Sequence, residues 1–394
     1  MLGEYFVKHS DRLVLVASFT LFVSCSGPKM APQPAETPSE NRSLSSDAQA
    51  PSYAFVLDKE IGEYLVPDEA DATNELLKLF KRHMKKKYED KKVDALRAVH
   101  AKSHGCLTGQ FEVLDHGDAA LKFGIFASPG KFPVFVRYSN GDGPPQNDSD
   151  DLVSLGMAFK VMDVSQPKLL ASQREDAQDF LMINQPAFLV KDIVDFAAVI
   201  RAREGGFIRK GVFAIKHHDA LSFRKQAHPK SDPLNTTFWS ALAFRLGDHA
   251  VKYLARPCNP RPKTVPAKLT ADYITGLLKT HLETDDGCFD FFLQKRLKNG
   301  KEDVEMPIEN ARTIWDEEKS VPVKVARLWI PKQAFDSVDR QKECEQTEFS
   351  PWNTTKDFHP LGNLNRIRKL VYEFSAGERH RLNRTDDPFS RKKP

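Results

Sequence analysis

Neither sign of charge is in excess in this chain: 58 Lys and Arg stand against 54 Asp and Glu, a formal net charge of +4. That balance gives no reason to expect nucleic acid as a partner. Cysteine is scarce, and the five residues (Cys25, Cys106, Cys258, Cys288, Cys344) include no CxxC and no zinc-type spacing with histidine. A thiolate-held metal is thereby disfavoured. No GxSxG, HExxH or EF-hand loop occurs, and GDGPP at 141–145 lacks the strand-to-helix frame and Lys-Ser/Thr of a phosphate loop, so it reads as a turn. No repeat is visible. The only long apolar run, Leu13 to Val23, is too short to span a bilayer comfortably.

That run follows Lys8 and Arg12, the layout of a secretory signal, and Phe22-Val23-Ser24-Cys25 resembles a bacterial lipobox with Phe22 where leucine is usual. Residues 1–25 are therefore expected to be a signal peptide and lipobox, the alternative being an ordinary signal or a buried apolar segment. Residues 26–52 are rich in Pro, Ser, Ala and Glu. Such a stretch buries too little to offset its ordering entropy and is expected to be a disordered tether. Residues 53–394, with 40% hydrophobic and 28% charged residues across the chain, are expected to form one large domain. The expectation is an exported protein of the bacterial periplasm or outer membrane, touching the membrane only through an N-terminal lipid.

From Asp71 the pattern is helical: Leu77, Phe80, Met84 and Tyr88 recur at threes and fours, and the lysines of KRHMKKKYEDKK fill the solvated face. Shorter runs follow. QFEVLD (110–115), ALKFGIFAS (120–128), FPVFVRYS (132–139), GMAFKVMD (156–163) and DFLMINQ (179–185) read as strands, as do FWSALAFRLG, HAVKYLARP, CFDFFLQ and VKVARLWIP. Helical pieces interrupt them near 189–203 and 270–283. The class expected is α+β: a closed, mostly antiparallel β-barrel with inserted and flanking helices, whose interior can hold one ligand.

Two stretches carry chemistry. In NRIRKLVYEFSAGERHR, taken as a helix, Leu364, Ile367, Val371 and Phe374 make an apolar stripe, while Arg368, Tyr372, Ser375 and Arg379 fall on a neighbouring one. A guanidinium one turn before a phenol stabilises the phenolate, which is a good axial ligand for ferric iron. The second stretch, RAVHAKSHGCLTGQFEV at 97–113, sets Arg97 and His100 ahead of an apolar strand. Together they look like the two faces of a haem pocket. In FPVFVRYS, Arg137 and Ser139 share a face with Phe135; on a barrel's inward face that arginine needs a buried anion, which a haem propionate would supply. Arg97 and His100 would point to opposite faces of a regular strand, so either the segment is irregular or Arg97 reaches round an edge. Taken singly, each signal also has a plain structural reading: a satisfied histidine, a surface i,i+4 contact, an ion pair.

The combination resembles the haem-dependent catalase superfamily, in its small catalase-like branch. RAVHAKSHGCLTGQFEV is similar to the distal motif RVVHAKGxGAxGxFEV, FPVFVRYS to PVxVRFS, and RIRKLVYEFSAGER to RLFxYxDTxxxR. The resemblance runs discontinuously from about 95 to 383 and is poor over 205–300. It implies that His100 is the distal catalytic histidine and Ser139 the serine bonded to its other nitrogen. It implies that Tyr372 ligates the iron of haem b, with Arg368 as its partner. Arg97, Arg137 and Arg379 would bind propionates, and Val99 would pack over the distal face.

There are departures. Ungapped alignment puts Ile183 where catalases have the first, catalytic asparagine of a pair, and Asn184 at the second; Asn184 supplies the amide only if the register shifts. The acidic channel residue falls near Val153. The sequence also stops soon after Tyr372, without the C-terminal helical region, so a wider entrance and bulkier substrates are expected. Val99 is the catalase choice where allene oxide synthases carry threonine. The function expected is a catalase or peroxidase acting on hydrogen peroxide or organic hydroperoxides, with an organic electron donor in the peroxidase case. The alternative is a periplasmic haem carrier or sensor with little turnover.

Overall fold

The computed structural model describes residues 56–141, 147–149, 154–170, 176–204, 231–262 and 265–389. The expected signal, lipobox cysteine and tether, the GDGPP turn beyond Gly141, and Val153 lie outside the described residues.

Among the described residues the helices are, in chain order, α1 (Glu69–Met84), α2 (Ile193–Glu204), α3 (Tyr273–Thr284), α4 (Glu302–Glu305), α5 (Val338–Gln346) and α6 (Asn363–Asn383). The strands are β1 (Ser103–Val113), β2 (Gly130–Asn140), β3 (Leu155–Met162), β4 (Ala177–Ile183), β5 (Phe238–Trp239), β6 (Phe244–Leu246), β7 (His249–Pro257), β8 (Gly287–Lys295), β9 (Val323–Ile330) and β10 (Phe358–Pro360).

Antiparallel pairing runs β7-β5-β4-β3-β2-β1-β9-β8, and β8 pairs back to β7 to close an eight-stranded barrel. β5 and β6 follow one another along one edge of β7, and β10 pairs with β6. Closure leaves no free edge within the ring.

Strand parity decides what each face does. Along β2, Val134, Val136 and Tyr138 belong to the barrel core, whereas Phe135 packs outside against Cys106 and Cys344. The core is filled by rings from across the barrel. Phe111 of β1 lies 5.5 Å from Phe159 of β3 and 5.3 Å from Phe291 of β8, and Phe180 of β4 lies 5.3 Å from Tyr253 of β7. An eight-stranded barrel is just wide enough for side chains to fill it, and phenylalanine does so here. The expectation of a ligand inside the barrel is therefore corrected. Arg137 and Ser139, assigned to the inward face, stand on the outer wall instead, where helices cover them.

A second apolar layer lies outside that wall. Leu76, Leu77, Phe80 and Met84 of α1, Ile193 and Ala197 of α2, and Leu364, Ile367 and Val371 of α6 pack together. Acidic residues begin α1 and basic ones end it, complementing the helix dipole. The chain after Met84 widens into a π turn that still buries Tyr88.

α6 is fixed at its start. Gly362 has φ 88°, and a Cβ there would lie 2.8 Å from the Ile308 carbonyl oxygen, so only glycine allows the approach. Arg366 is surrounded by Glu63, Glu69 and Glu309 at 2.8, 2.7 and 3.0 Å, while the amides of Gly362 and Asn363 donate to Glu63 and Glu309. The helix N-terminus thus shares with one guanidinium the task of neutralising three buried carboxylates.

Two expected strands differ. Residues 120–128 form the short 3-10 turns Ala119–Leu121 and Gly124–Phe126. Asp118 accepts from the Ala120 amide and Gly124 takes φ 53°, so local bonds replace a ladder. FWSALAFRLG is broken into β5 and β6 by Ala241 at φ 58°. The cysteine pairing that the sequence left open is Cys106–Cys344, tying β1 to α5, and Cys258–Cys288, tying β7's end to β8.

Candidate functional site

A cavity of about 240 Å3 lies between the barrel's outer wall and the helices. His100, Ser139, Val99 and Arg137 line it from the barrel side, and Tyr372, Arg368 and Arg379 from α6. The two stretches singled out in the sequence therefore meet in one space.

On the barrel side, residues 97–102 are not part of β1, and His100 has φ 56°. The irregular alternative for Arg97 and His100 is the one found. A left-handed backbone at a non-glycine residue is costly and persists only where its surroundings hold it. β2 supplies the hold: Ser139 Oγ lies 3.1 Å from His100 Nδ1, and Arg137 Nη2 donates to the His100 carbonyl at 2.9 Å. β3 supplies the room. A Cβ on Gly156 would stand 2.6 Å from His100 Nδ1 and Cε1, so glycine there lets the ring lie against the sheet. Nothing in the sequence pattern around Gly156 pointed to this role.

On the helical side, Arg368 Nη2 donates to Tyr372 Oη at 3.1 Å, and the guanidinium lies 5.1 Å from the centre of the phenol ring. The i,i+4 spacing read from sequence is thus a real bond. Asn365, fully buried and missed in the sequence, fixes the pair: its Oδ1 accepts from Arg368 Nη1 at 3.0 Å, while its Nδ2 donates to Ala243 and Leu361 carbonyls.

Three arginines gather at one end. Arg97 donates to Glu345 at 2.9 Å and to the carbonyls of Cys344 and Thr347, so it also caps α5's C-terminus, where a cation is favoured. Burial and the nearby Arg97 push Arg137 down to about 9, and the same two causes push Arg379 down to about 9. Both remain cations at neutral pH. The Nε atoms of Arg137 and Arg379 are buried without a hydrogen-bond partner. Buried, under-satisfied guanidiniums call for an anion.

Burial opposes ionisation of Glu345, but Arg97, Arg137 and Arg379 outweigh it and hold the carboxyl below its usual range. Burial likewise opposes Glu348, which His380 at 3.1 Å and Arg379 hold below that range.

Asn184 is not brought to the cavity: its Oδ1 accepts from the Leu155 amide at 2.8 Å, joining the ends of β3 and β4. No shift of register occurs, since Ile183 pairs with Gly156 and itself lines the cavity. Phe80, Phe188, Phe196 and Ile200 from α1, α2 and the segment before α2 give the remaining walls an apolar stretch, while Ser154, Ser240, Ser375 and Glu348 add polar groups.

No family model matches the chain, and no curated protein matches it. Solved structures do. A fungal catalase superposes with TM-score 0.62 at 14% identity, covering 86% of this chain and 70% of that one. A bacterial catalase gives 0.57 at 15%, covering 91% and 68%. Catalase A from Saccharomyces cerevisiae gives 0.60 at 15%, covering 87% and 72%. The fold is catalase-like.

Proposed function

We propose that a chain with this catalase-like fold is a haem-dependent enzyme that cleaves the O–O bond of hydrogen peroxide or of organic hydroperoxides. The observation that carries the reading is one cavity lined from opposite sides by a serine-held histidine and an arginine-held tyrosine. The residues also fit the group: the partnerless Nε atoms of Arg137 and Arg379 suit propionates, and Tyr372 Oη suits ferric iron. Haem b, when bound, supplies the redox chemistry of the broken peroxide bond, and a second peroxide or an organic donor completes turnover.

The chain's own residues move the protons. Ser139 holds His100 Nδ1 and so orients the imidazole. His100 takes the proton of one peroxide oxygen and returns one to the other, so the departing oxygen leaves as water or alcohol. Arg368 donates to Tyr372 Oη and so holds the phenol oxygen in place, and Val99 lines the cavity beside His100. Arg97 supports the anion end through α5.

A haem carrier or sensor with little turnover is the second reading, and Ile183 in the cavity with Asn184 turned to Leu155 favours it. Absorption spectra before and after peroxide separate them. Oxygen evolution identifies a catalase and donor oxidation a peroxidase; a Soret band unchanged by peroxide identifies the carrier. A protein that takes up no haem sinks both.

We also propose export and lipid anchoring at Cys25. Pairing of all four remaining cysteines suits an oxidising compartment. Intact mass tests it: the mature chain should begin at Cys25 with acyl groups added.

A further inference from the structure

Glu345 is the one acidic side chain in hydrogen-bond reach of Arg97 among the described residues, and it faces Arg137 as well. Its Oε2 takes Arg97 Nη1 at 2.9 Å, and its Oε1 lies 3.6 Å from Arg137 Nη2. Its backbone is pinned twice: the preceding Cys344 is bonded to Cys106 of β1, and Arg97 Nη2 holds the Cys344 carbonyl at 3.0 Å. The carboxylate is therefore a built part of the cluster.

The geometry has a consequence in charge. Glu345 and Glu348 face Arg97, Arg137 and Arg379 and offset part of their charge, so the cluster presents less positive charge to an incoming group than three free guanidiniums would. Glu345 uses two of the three guanidiniums from one side. The partnerless Nε atoms of Arg137 and Arg379 remain for a ligand. Glu345 stands behind the guanidiniums rather than in the cavity wall, so a second ligand carboxylate here would compete with it for Arg97 and Arg137 and feel it as a like charge, which is costly in a partly desolvated site.

We propose that Glu345 is an internal counter-ion that sets ligand specificity, so that this end of the cavity accepts one ligand carboxylate and rejects a second. The proposal rests on the haem reading and deepens it: of the two propionates, one is bound by the arginines and the other gains nothing from them. Removing the Glu345 charge has opposite effects on the two states. The ligand-free protein loses a counter-ion among three guanidiniums and becomes less stable, while the site becomes a better receptor for two carboxylates. A purely structural residue would weaken both.

The test is titration of the haem-free full chain with iron protoporphyrin IX, its monomethyl ester and its dimethyl ester, followed by Soret absorbance. Wild type should bind the monomethyl ester at least as tightly as the dicarboxylate, and the dimethyl ester at least about tenfold more weakly than the monoester. Glu345→Gln should prefer the dicarboxylate over the monoester by about tenfold, while its ligand-free melting temperature falls. Glu345→Asp keeps the charge and should retain the wild-type ratio, which guards against misfolding of the glutamine variant. An unchanged ratio in Glu345→Gln, or uniformly weaker binding of all three, overturns the proposal and leaves the haem reading standing. Failure of wild type to bind any of the three overturns the haem reading itself.

Discussion

Ser139 and His100 sit 3.1 Å apart, Oγ to Nδ1, with the histidine backbone in the left-handed region and the serine on a barrel strand. The imidazole is thus aimed by a rigid element although it stands on an irregular one. Proton shuttling by a positioned histidine is worth about 10²–10⁴-fold. His100→Ala should lose about that much peroxide turnover while keeping its Soret band. Ser139→Ala should keep the imidazole and lose about tenfold. Oxygen-electrode rates on haem-loaded protein check both, and equal losses in the two variants would contradict the division of roles.

Gly156 tests the same geometry from behind. A methyl group at 2.6 Å from the His100 ring must move it, and a misplacement of about 1 Å costs about 10²-fold in rate. Overpacking should also lower stability by about 1–3 kcal/mol. Gly156→Ala should therefore show both, by initial rates and by urea unfolding. A variant as active as wild type would mean that His100 does not work from this position.

Asn365 carries the tyrosine at one remove, through Arg368. Asn365→Ala leaves Arg368 and two carbonyls without that partner, a loss of about 1–3 kcal/mol. On the proposed haem reading, the ferric spectrum of the loaded variant should shift partway toward that of Tyr372→Phe, which would lack the proposed oxygen ligand. Lowered stability with an unaltered spectrum would confine Asn365 to packing.

Arg137→Ala should weaken haem retention, read as faster transfer of haem to an acceptor protein, by about tenfold or more for a buried charge pair. Loss of thermal stability alone, with retention unchanged, would remove the propionate role.

Lys252 gives a pH prediction away from the cavity. It donates to the Thr313 carbonyl at 3.2 Å over the Trp315 ring, and burial pushes its ammonium down to about 7 from 10.5. Between those two values the unfolded chain holds the proton that the folded chain releases, so this group makes stability rise with pH across that window. Relative to Lys252→Met, wild type should gain at least about 1.4 kcal/mol between pH 7 and pH 9 in urea unfolding. Parallel profiles would mean that the lysine titrates normally.

Much of this was legible in the chain, for identifiable reasons. Period-two runs located β2, β3, β4, β7, β8 and β9, because a strand with one face in a core must alternate or run apolar. The i,i+4 and i+11 spacing of Arg368, Tyr372 and Arg379 survives because α6 is a regular helix. Parity separated Arg137 and Ser139 from Val136 and Tyr138 but could not say which set faces inward, since both faces of this wall are covered. Residues 120–128 carry strand-like composition, yet the Asp118 cap and Gly124's backbone won locally. Gly156 and Glu345 act through partners far along the chain, Asn365 is anchored in part by the distant Ala243 carbonyl, and the disulfide spans a sequence separation of 238. Such pairings have no local signature.

The alternation along β2 has a last consequence, for the order of events in folding. A slip of one residue against β1 would thrust Arg137 and Ser139 among phenylalanines and leave Val136 and Tyr138 facing the helices. Correct strand matching and the first competence to capture a ligand are then a single event. During refolding, the aromatic signal of the closing barrel and the onset of porphyrin uptake should rise with the same half-time.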